Sequence, residues 1–393
     1  MKKRIFLSQP ALVCCAGMNA ADLYKACLKG DRSGFVMREA REKKYPVGQI
    51  KDALENVEIE DFGVSVYSSQ TRIIKMVNAA LCQIENEIEK LISKYGRENI
   101  GVFLGSCDNG SEASFAAHNA FFKNGSFPDN FNLRYQSTSL IAEFAAKKYK
   151  LGGPVFTAAT ACASGATAIM RGTELIRAGV CKAVIAGGAD IISQTVLLGF
   201  TALEAVSDEL TNPFSKNRKG INLGEGAAFF ILDTDEISNI ELLGAGESSD
   251  AYHMTAPGVD GEGPVRAMKA ALAEARIEQD KIGYINLHGT GTDLNDKTES
   301  LALKKVFKNG VPASSTKPIT GHTLGAAGVL EAAICWMVLN EKKGLPVHLW
   351  DGVCDEEAPF LPANSSHVSP SVCMSNSFAF GGCNVSLILG RNE

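Results

Sequence analysis

Three side chains able to handle an activated carbonyl stand in similar settings in this sequence: Cys162 in TACASG, His288 in NLHGTGT and His322 in PITGHTLGAAG. Each follows an apolar run and precedes small residues at helical spacing, which predicts three strand-to-helix junctions. A thiol attacks only as thiolate, and its ordinary pKa is about 8.5. The unpaired N–H groups of a helix N-terminus favour that anion, and Ala163-Ser164-Gly165-Ala166 leaves room for a substrate to approach. Cys162 therefore reads as a nucleophile. Cys27, Cys82, Cys181 and Cys335 sit in apolar segments and read as packing. One histidine at a turn is more often structural than catalytic. Two of only six, both flanked by glycine and matched by a cysteine, point to a shared site. Lys317 and Glu299 lie in otherwise apolar surroundings and, if buried, need each other.

Other chemistries fit less well. No HExxH, CxxC or GxxxxGK[ST] pattern is present, so the sequence predicts neither a metal site nor a phosphate-binding loop. The short Gly289–Gly291 pattern lacks a dinucleotide-binding context. Eleven cysteines without a paired framework predict reduced thiols and a cytoplasmic protein. A net charge of −5 argues against nucleic acid as the main partner. The basic start of MKKRIFLSQPALVCCAG is followed by a short apolar stretch interrupted by Ser8, Gln9 and Pro10, which is a poor signal peptide. No apolar run approaches the ~18 residues of a membrane span, so none is expected.

The elements that must position these groups alternate between strand and helix, the mark of an α/β protein with buried strands. The pattern predicts a strand over 4–15, a helix from Asn19, a long amphipathic helix over 70–95 and a strand in ENIGVFLGS. It continues with a strand at 153–159, a helix at 164–178 and a strand at 182–189. The second half repeats the theme in IGYINLH, a helix at 296–307, PASSTK, a helix from near Thr323, and two β-runs around a Gly-rich turn in SVCMSNSFAFGGCNVSLILG. With 393 residues, the chain suits two units, and the polar LDTDEISNIE stretch places the boundary between halves 1–235 and 236–393. TACASGATAIMRG and TGHTLGAAGVLEA echo each other across it. If the echo is structural, two similar halves face each other with reactive groups at the junction.

The ordered motifs TACASG, NPFSKNRKGINLGEGAA, SSDAYHMTAP, HGTGTDLNDKTE, STKPITGHTLGAAG and NSFAFGGCN closely resemble those of the β-ketoacyl-(acyl carrier protein) synthases, in the elongating Cys-His-His version. The likeness runs from about residue 4 to 390. It implies the thiolase fold, two pseudo-equivalent α/β halves in five αβαβα layers, usually as a homodimer; a heterodimer with a related subunit is the other arrangement. It further implies that Cys162 takes an acyl group from acyl carrier protein. His288 and His322 would bind the malonyl carbonyl as carbon dioxide leaves. The backbone N–H groups of Cys162 and Phe380 would form the oxyanion hole, and Lys317 and Glu299 a supporting ion pair. Thr290 and Thr292 would contact the phosphopantetheine arm, with Phe378 and Phe380 at an aromatic gate. No cofactor is implied. The resemblance also sets expectations about relatives that this chain does not match. A thiolase would lead its C-terminal glycines with a second cysteine, whereas Cys383 follows them; initiating synthases use Cys-His-Asn; a chain-length-factor partner subunit lacks the nucleophile.

Two departures from the family pattern bear on the substrate. GSCDNGS (105–111) replaces a Gly-rich loop bordering the acyl pocket, and FAFGG replaces FGFGG; the 212–228 motif is similar to synthases of specialised pathways, aryl polyene clusters among them. Asp108 would then line the far pocket, either capped by Asn109 or Ser111 or shaping the pocket for an unusual chain, unless a loop shift leaves it in solvent. Because the carrier is acidic, Arg72 and Lys75 on the 70–95 helix are the candidate docking residues.

Overall fold

The apolar runs pair along one sheet path. A computed structural model describes residues 2–392 except 52, 53, 55, 56, 61, 68–70, 109 and 359–368. The strands are β1 (Phe6–Leu7), β2 (Ala11–Cys14), β3 (Phe35–Ala40), β4 (Lys43–Gly48), β5 (Ile100–Gly105), β6 (Val155–Ala158), β7 (Ala183–Asp190), β8 (Gly226–Asp233), β9 (Ile240–Ser249), β10 (Tyr284–Asn286), β11 (Ala313–Ser314), β12 (Val372–Phe378) and β13 (Cys383–Arg391). The helices are α1 (Ala20–Lys29), α2 (Arg72–Leu81), α3 (Glu85–Tyr95), α4 (Ser111–Asn124), α5 (Leu140–Lys148), α6 (Ser164–Arg177), α7 (Gln194–Ala202), α8 (Glu262–Ala275), α9 (Asp293–Val306), α10 (Lys317–Thr320) and α11 (Ala327–Glu341).

The first half orders its strands β6-β5-β7-β8-β2 and the second β11-β10-β12-β13-β9. In each, three parallel strands are followed by two antiparallel ones. Identical order and direction give the sequence echo its structural meaning. Parallel neighbours need a crossover helix. α6 supplies it between β6 and β7, and α11 between β11 and β12. These two helices pack on each other between the sheets, with α2, α3 and α5 outside the first sheet and α8 and α9 outside the second. The result is the expected five-layer αβαβα arrangement. The short β1 joins the halves, since Phe6 lies opposite both Asp233 of β8 and Glu241 of β9.

Three expectations change in detail. The strand over 4–15 is two strands, β1 and β2. The helix over 70–95 is broken by a 3₁₀ turn at Cys82–Ile84. There Gln83 leaves the helical pattern to bond the backbone of Leu12 in both directions (3.2 and 2.9 Å) and the carbonyl of Met18 (2.9 Å). The third concerns membranes. Leu324–Glu341 is long and apolar enough, by length and composition, to cross one, yet it is 89% buried inside the protein. Sheets on both sides require α11 to be apolar all round.

The central contact depends on missing side chains. A Cβ on Gly165 would lie 2.8 Å from the Gly325 carbonyl and 3.0 Å from Val329, and one on Gly328 would lie 3.0 Å from the Ala166 backbone nitrogen. Helices this close tolerate no added methyl groups. We expect Gly165→Val to lower unfolding free energy by about 3 kcal/mol and to separate Cys162 from His322. Chemical denaturation and Cys162 alkylation check both, and wild-type values for the variant would refute the contact's importance.

Candidate active site

The turn Ala161–Ala163 holds Cys162 at the head of α6. Ala161 has a φ of 48°, a left-handed conformation that costs a non-glycine residue energy. Ser164 holds the turn, its hydroxyl donating to the Ala161 carbonyl (2.7 Å) and accepting from Thr160 N–H (2.9 Å). The Cys162 sulfur lies 3.0 Å from His322 Nε2. His322 follows α10, and its backbone N–H donates to the Asn222 carbonyl (2.7 Å). His288 lies two residues past the end of β10. Its ring centre lies 5.4 Å from that of His322, nearly perpendicular to it. One ligand-type atom from each of Cys162, His288 and His322 falls within 4.8 Å of the others. Residues up to 160 positions apart thus converge from both halves, all buried.

The expected Lys317–Glu299 ion pair is not formed. Lys317 Nζ pairs with Glu331, a residue of α11, and donates to the His288 carbonyl. Glu299 instead accepts the backbone N–H groups of His288 (2.9 Å) and Gly289 (2.7 Å), which fixes the loop carrying the histidine. Sequence spacing gave no way to choose between two acidic residues on different helices. Lys317 Nζ also lies 3.4 Å from His288 Nδ1. An ammonium only donates, so Nδ1 accepts and the ring proton sits on Nε2. His288 is thereby set as a donor away from Lys317.

The electrostatics differ from the expected stable thiolate. Burial pushes the Cys162 thiol up to about 12, against the opposing pull of Lys317 and the Phe380 N–H. Burial and then the Lys317 charge hold both histidines well below the usual imidazole range. Desolvation outweighs the helix terminus here because charge is taken out of water on every side. The resting site is a neutral thiol and two neutral imidazoles around one ammonium. Burial raises Glu331 to about 7 and Glu299 to about 8.

Cys162, His288 and His322 open onto a cavity of about 440 Å³, also lined by Thr290, Thr292, Phe378 and Phe380. The Thr290 and Thr292 hydroxyls lie 2.9 Å apart. Phe380 stacks on Phe200 at 5.8 Å, forming an aromatic wall.

Three expected residues lie elsewhere. Asp108 does not line this cavity. It is buried, accepts hydrogen bonds from the Ser111 and Ser193 hydroxyls, and its Oδ2 has no partner among the described residues. Burial raises it to about 7. Of its two expected caps, Ser111 is in place and Asn109 is outside the described residues; the solvent-exposed alternative is overturned. Arg72 is no open docking residue. Its guanidinium turns inward to the buried Glu225 and the Ile50 carbonyl, leaving it committed to the fold. Lys75 is partly exposed on the same helix.

Some residues that build the site were missed. Asp190, fully buried at the end of β7, accepts from Ser106 Oγ (2.8 Å), Cys107 N–H (2.9 Å), Asp108 N–H (2.8 Å) and Gly325 N–H (2.6 Å). It ties the loop after β5 to the turn before α11. A carboxylate closing the otherwise apolar AVIAGGAD run was the available signal. Arg218, in the 212–228 motif, reaches the Thr292 carbonyl (3.3 Å), Asp293 (2.9 Å) and Asp355 (2.5 Å), pinning one wall of the cavity.

Two measurements test this electrostatic picture. With the thiol pKa raised, the thiolate fraction grows about tenfold per pH unit below it, so iodoacetamide inactivation should accelerate steadily from pH 7 to 9. A plateau in that range would mean a preformed thiolate. Glu331→Gln should lose about 3–5 kcal/mol of stability by leaving Lys317 buried without a counter-charge. Lys317→Met with Glu331→Leu should regain much of it but not activity. A single variant as stable as wild type would refute the pairing.

Comparison with known proteins agrees with this geometry. The family description "Beta-ketoacyl synthase, N-terminal domain" matches residues 57–237, and "Beta-ketoacyl synthase, C-terminal domain" matches 240–348. The chain is 32% identical over 361 residues to 3-oxoacyl-[acyl-carrier-protein] synthase 2 of Synechocystis sp., covering 86% of this chain and 87% of the relative. It is 30% identical to the protein of that name from Coxiella burnetii, covering 99% of each. Among solved structures, a ketosynthase (ApeO) in complex with its chain length factor (ApeC) from Xenorhabdus doucetiae superposes with a TM-score of 0.91 at 36% identity, covering 99% and 98% of the two chains. The cysteine-histidine-histidine centre between two matched halves, together with these likenesses, makes the chain a member of the β-ketoacyl synthase family, an elongating condensing enzyme of the thiolase superfamily.

Proposed function

We propose that this enzyme performs a decarboxylative Claisen condensation between malonyl-acyl carrier protein and an acyl group held on Cys162, extending a fatty acid or a related polyene or polyketide chain. The observation that carries this reading is His322 Nε2 at 3.0 Å from the Cys162 sulfur, with His288 in the same buried cavity. Cys162 sulfur attacks the incoming thioester as its proton passes to the departing carrier thiol, with His322 Nε2 placed to relay it. Once the sulfur is acylated it no longer donates to His322, and a shift of that ring's proton from Nδ1 to Nε2 lets the neutral imidazole donate beside His288 Nε2–H. Cleavage of the malonyl C–C bond releases carbon dioxide and leaves an electron pair on an enolate oxygen. Two neutral donors beside the Lys317 charge stabilise it. The enolate carbon attacks the acyl-cysteine carbonyl. The Cys162 and Phe380 N–H groups receive the oxyanion, and its collapse expels the Cys162 thiolate.

Electrons balance without a redox partner, and loss of carbon dioxide drives the reaction, so no metal or cofactor is needed. Thr290 and Thr292 contact the pantetheine arm, and Phe378 and Phe380 gate the cavity. Asp108 shapes the acyl end from behind it, and Lys75 contributes to carrier docking. The working assembly is a dimer, either of two copies or with a related subunit, in the cytoplasm. Exposed Phe156 on the edge strand β6 supports a covered apolar edge; the ketosynthase from Xenorhabdus doucetiae is itself seen with a chain length factor.

Cys162→Ala should remove the acyl adduct seen by intact mass while leaving the fold unchanged; a persisting adduct would exclude Cys162 as the nucleophile. His288→Ala should slow carbon dioxide release from malonyl-acyl carrier protein by ~10²–10³. Near-normal release would overturn its role at the carbonyl.

A further inference from the structure

A second cavity, of about 800 Å³, lies between the loop after α1, the 207–219 segment and the turn at 349–351. Its size is that of a small-molecule site. Lys219 lines both this cavity and the one containing Cys162, so the two open side by side. Arg32 forms part of the wall. Its Nε is fully buried and has no hydrogen-bond partner among the described residues. Burial alone lowers its hold on its proton, and no carboxylate contributes an opposing pull.

The other charges lining the cavity are already matched. Glu209 pairs with Lys219 at 2.7 Å. Asp351 accepts from Ser215 Oγ and Asn217 Nδ2, both at 2.8 Å, and from Val353 N–H at 2.9 Å. Among the described residues, Arg32 is left as a partly desolvated guanidinium without an acid. Such a group costs free energy unless something pairs with it, and its planar fork fits carboxylate and phosphate oxygens two at a time. Trp350 and Leu349 add a flat apolar wall beside the charge.

We propose that this cavity is an oxyanion-binding site separate from the condensing centre, in which Arg32 grips the carboxylate or phosphate of a small ligand. The proposal does not depend on the chemistry at Cys162. Inorganic phosphate and malonate, titrated in turn against the full-length protein at constant ionic strength set with chloride, distinguish the two oxyanion classes. Wild-type protein should show saturable heat or thermal stabilisation with at least one of them. Arg32→Gln should weaken that binding by about tenfold or more, and Arg32→Lys should fall between, keeping charge but losing the fork. Unfolding temperatures in chloride alone establish that both variants fold, and acylation of Cys162 should be unchanged. Equal titration of wild type and Arg32→Gln, or no saturable response to either anion, would overturn the site.

Discussion

The close approach of α6 and α11 is the contact on which the rest of this structure depends. It places the starts of two crossover helices, and so Cys162 and the His322 turn, within hydrogen-bonding distance at the centre of the molecule. Glycines make the approach possible: Gly165 and Gly328 leave backbone where a side chain would force the helices apart. Both helices lie between sheets, so their burial is set by layers on either side, and the active groups inherit that burial. Asp190 reinforces the junction by accepting N–H groups from both halves.

Burial decides the chemistry as well as the geometry. In water, a cysteine at a helix start and two histidines would offer a thiolate and partly charged rings. Here desolvation favours neutral forms, and the buried cation Lys317 opposes charging of either histidine while favouring negative charge near the sulfur. A site of this kind binds neutral thioesters at little electrostatic cost and reserves its donors for charge that develops during reaction. Glu331 makes the arrangement tolerable by pairing with Lys317, and Glu299 keeps the His288 loop in place through backbone N–H groups.

Reactive side chains and structural economy meet at the same loops. The Gly-rich segments around Gly289 and Gly321 adopt positive φ values that turn the chain sharply after β10 and after α10. The Arg218 contacts then brace the cavity wall formed by Thr292 and Asp293. Function therefore rests on turns held by buried polar groups, and the regular elements serve to bring those turns together.

The sequence alone determined the α/β class, because hydrophobic periodicity and glycine-flanked junctions are local signals. The ordered motifs carried the family resemblance for the same reason. Charge partners were decided only in three dimensions. Glu299 and Glu331 sit on different helices, and only packing chose which meets Lys317. Arg72 has the spacing of a docking residue, yet Glu225, 153 positions away, draws it inward. Asp108 likewise found Ser111 nearby in the chain but Ser193 and the Asp190 junction from far along it. Even the protonation of Cys162 lay beyond sequence: helix position argued for a thiolate, and desolvation by two sheets reversed the balance.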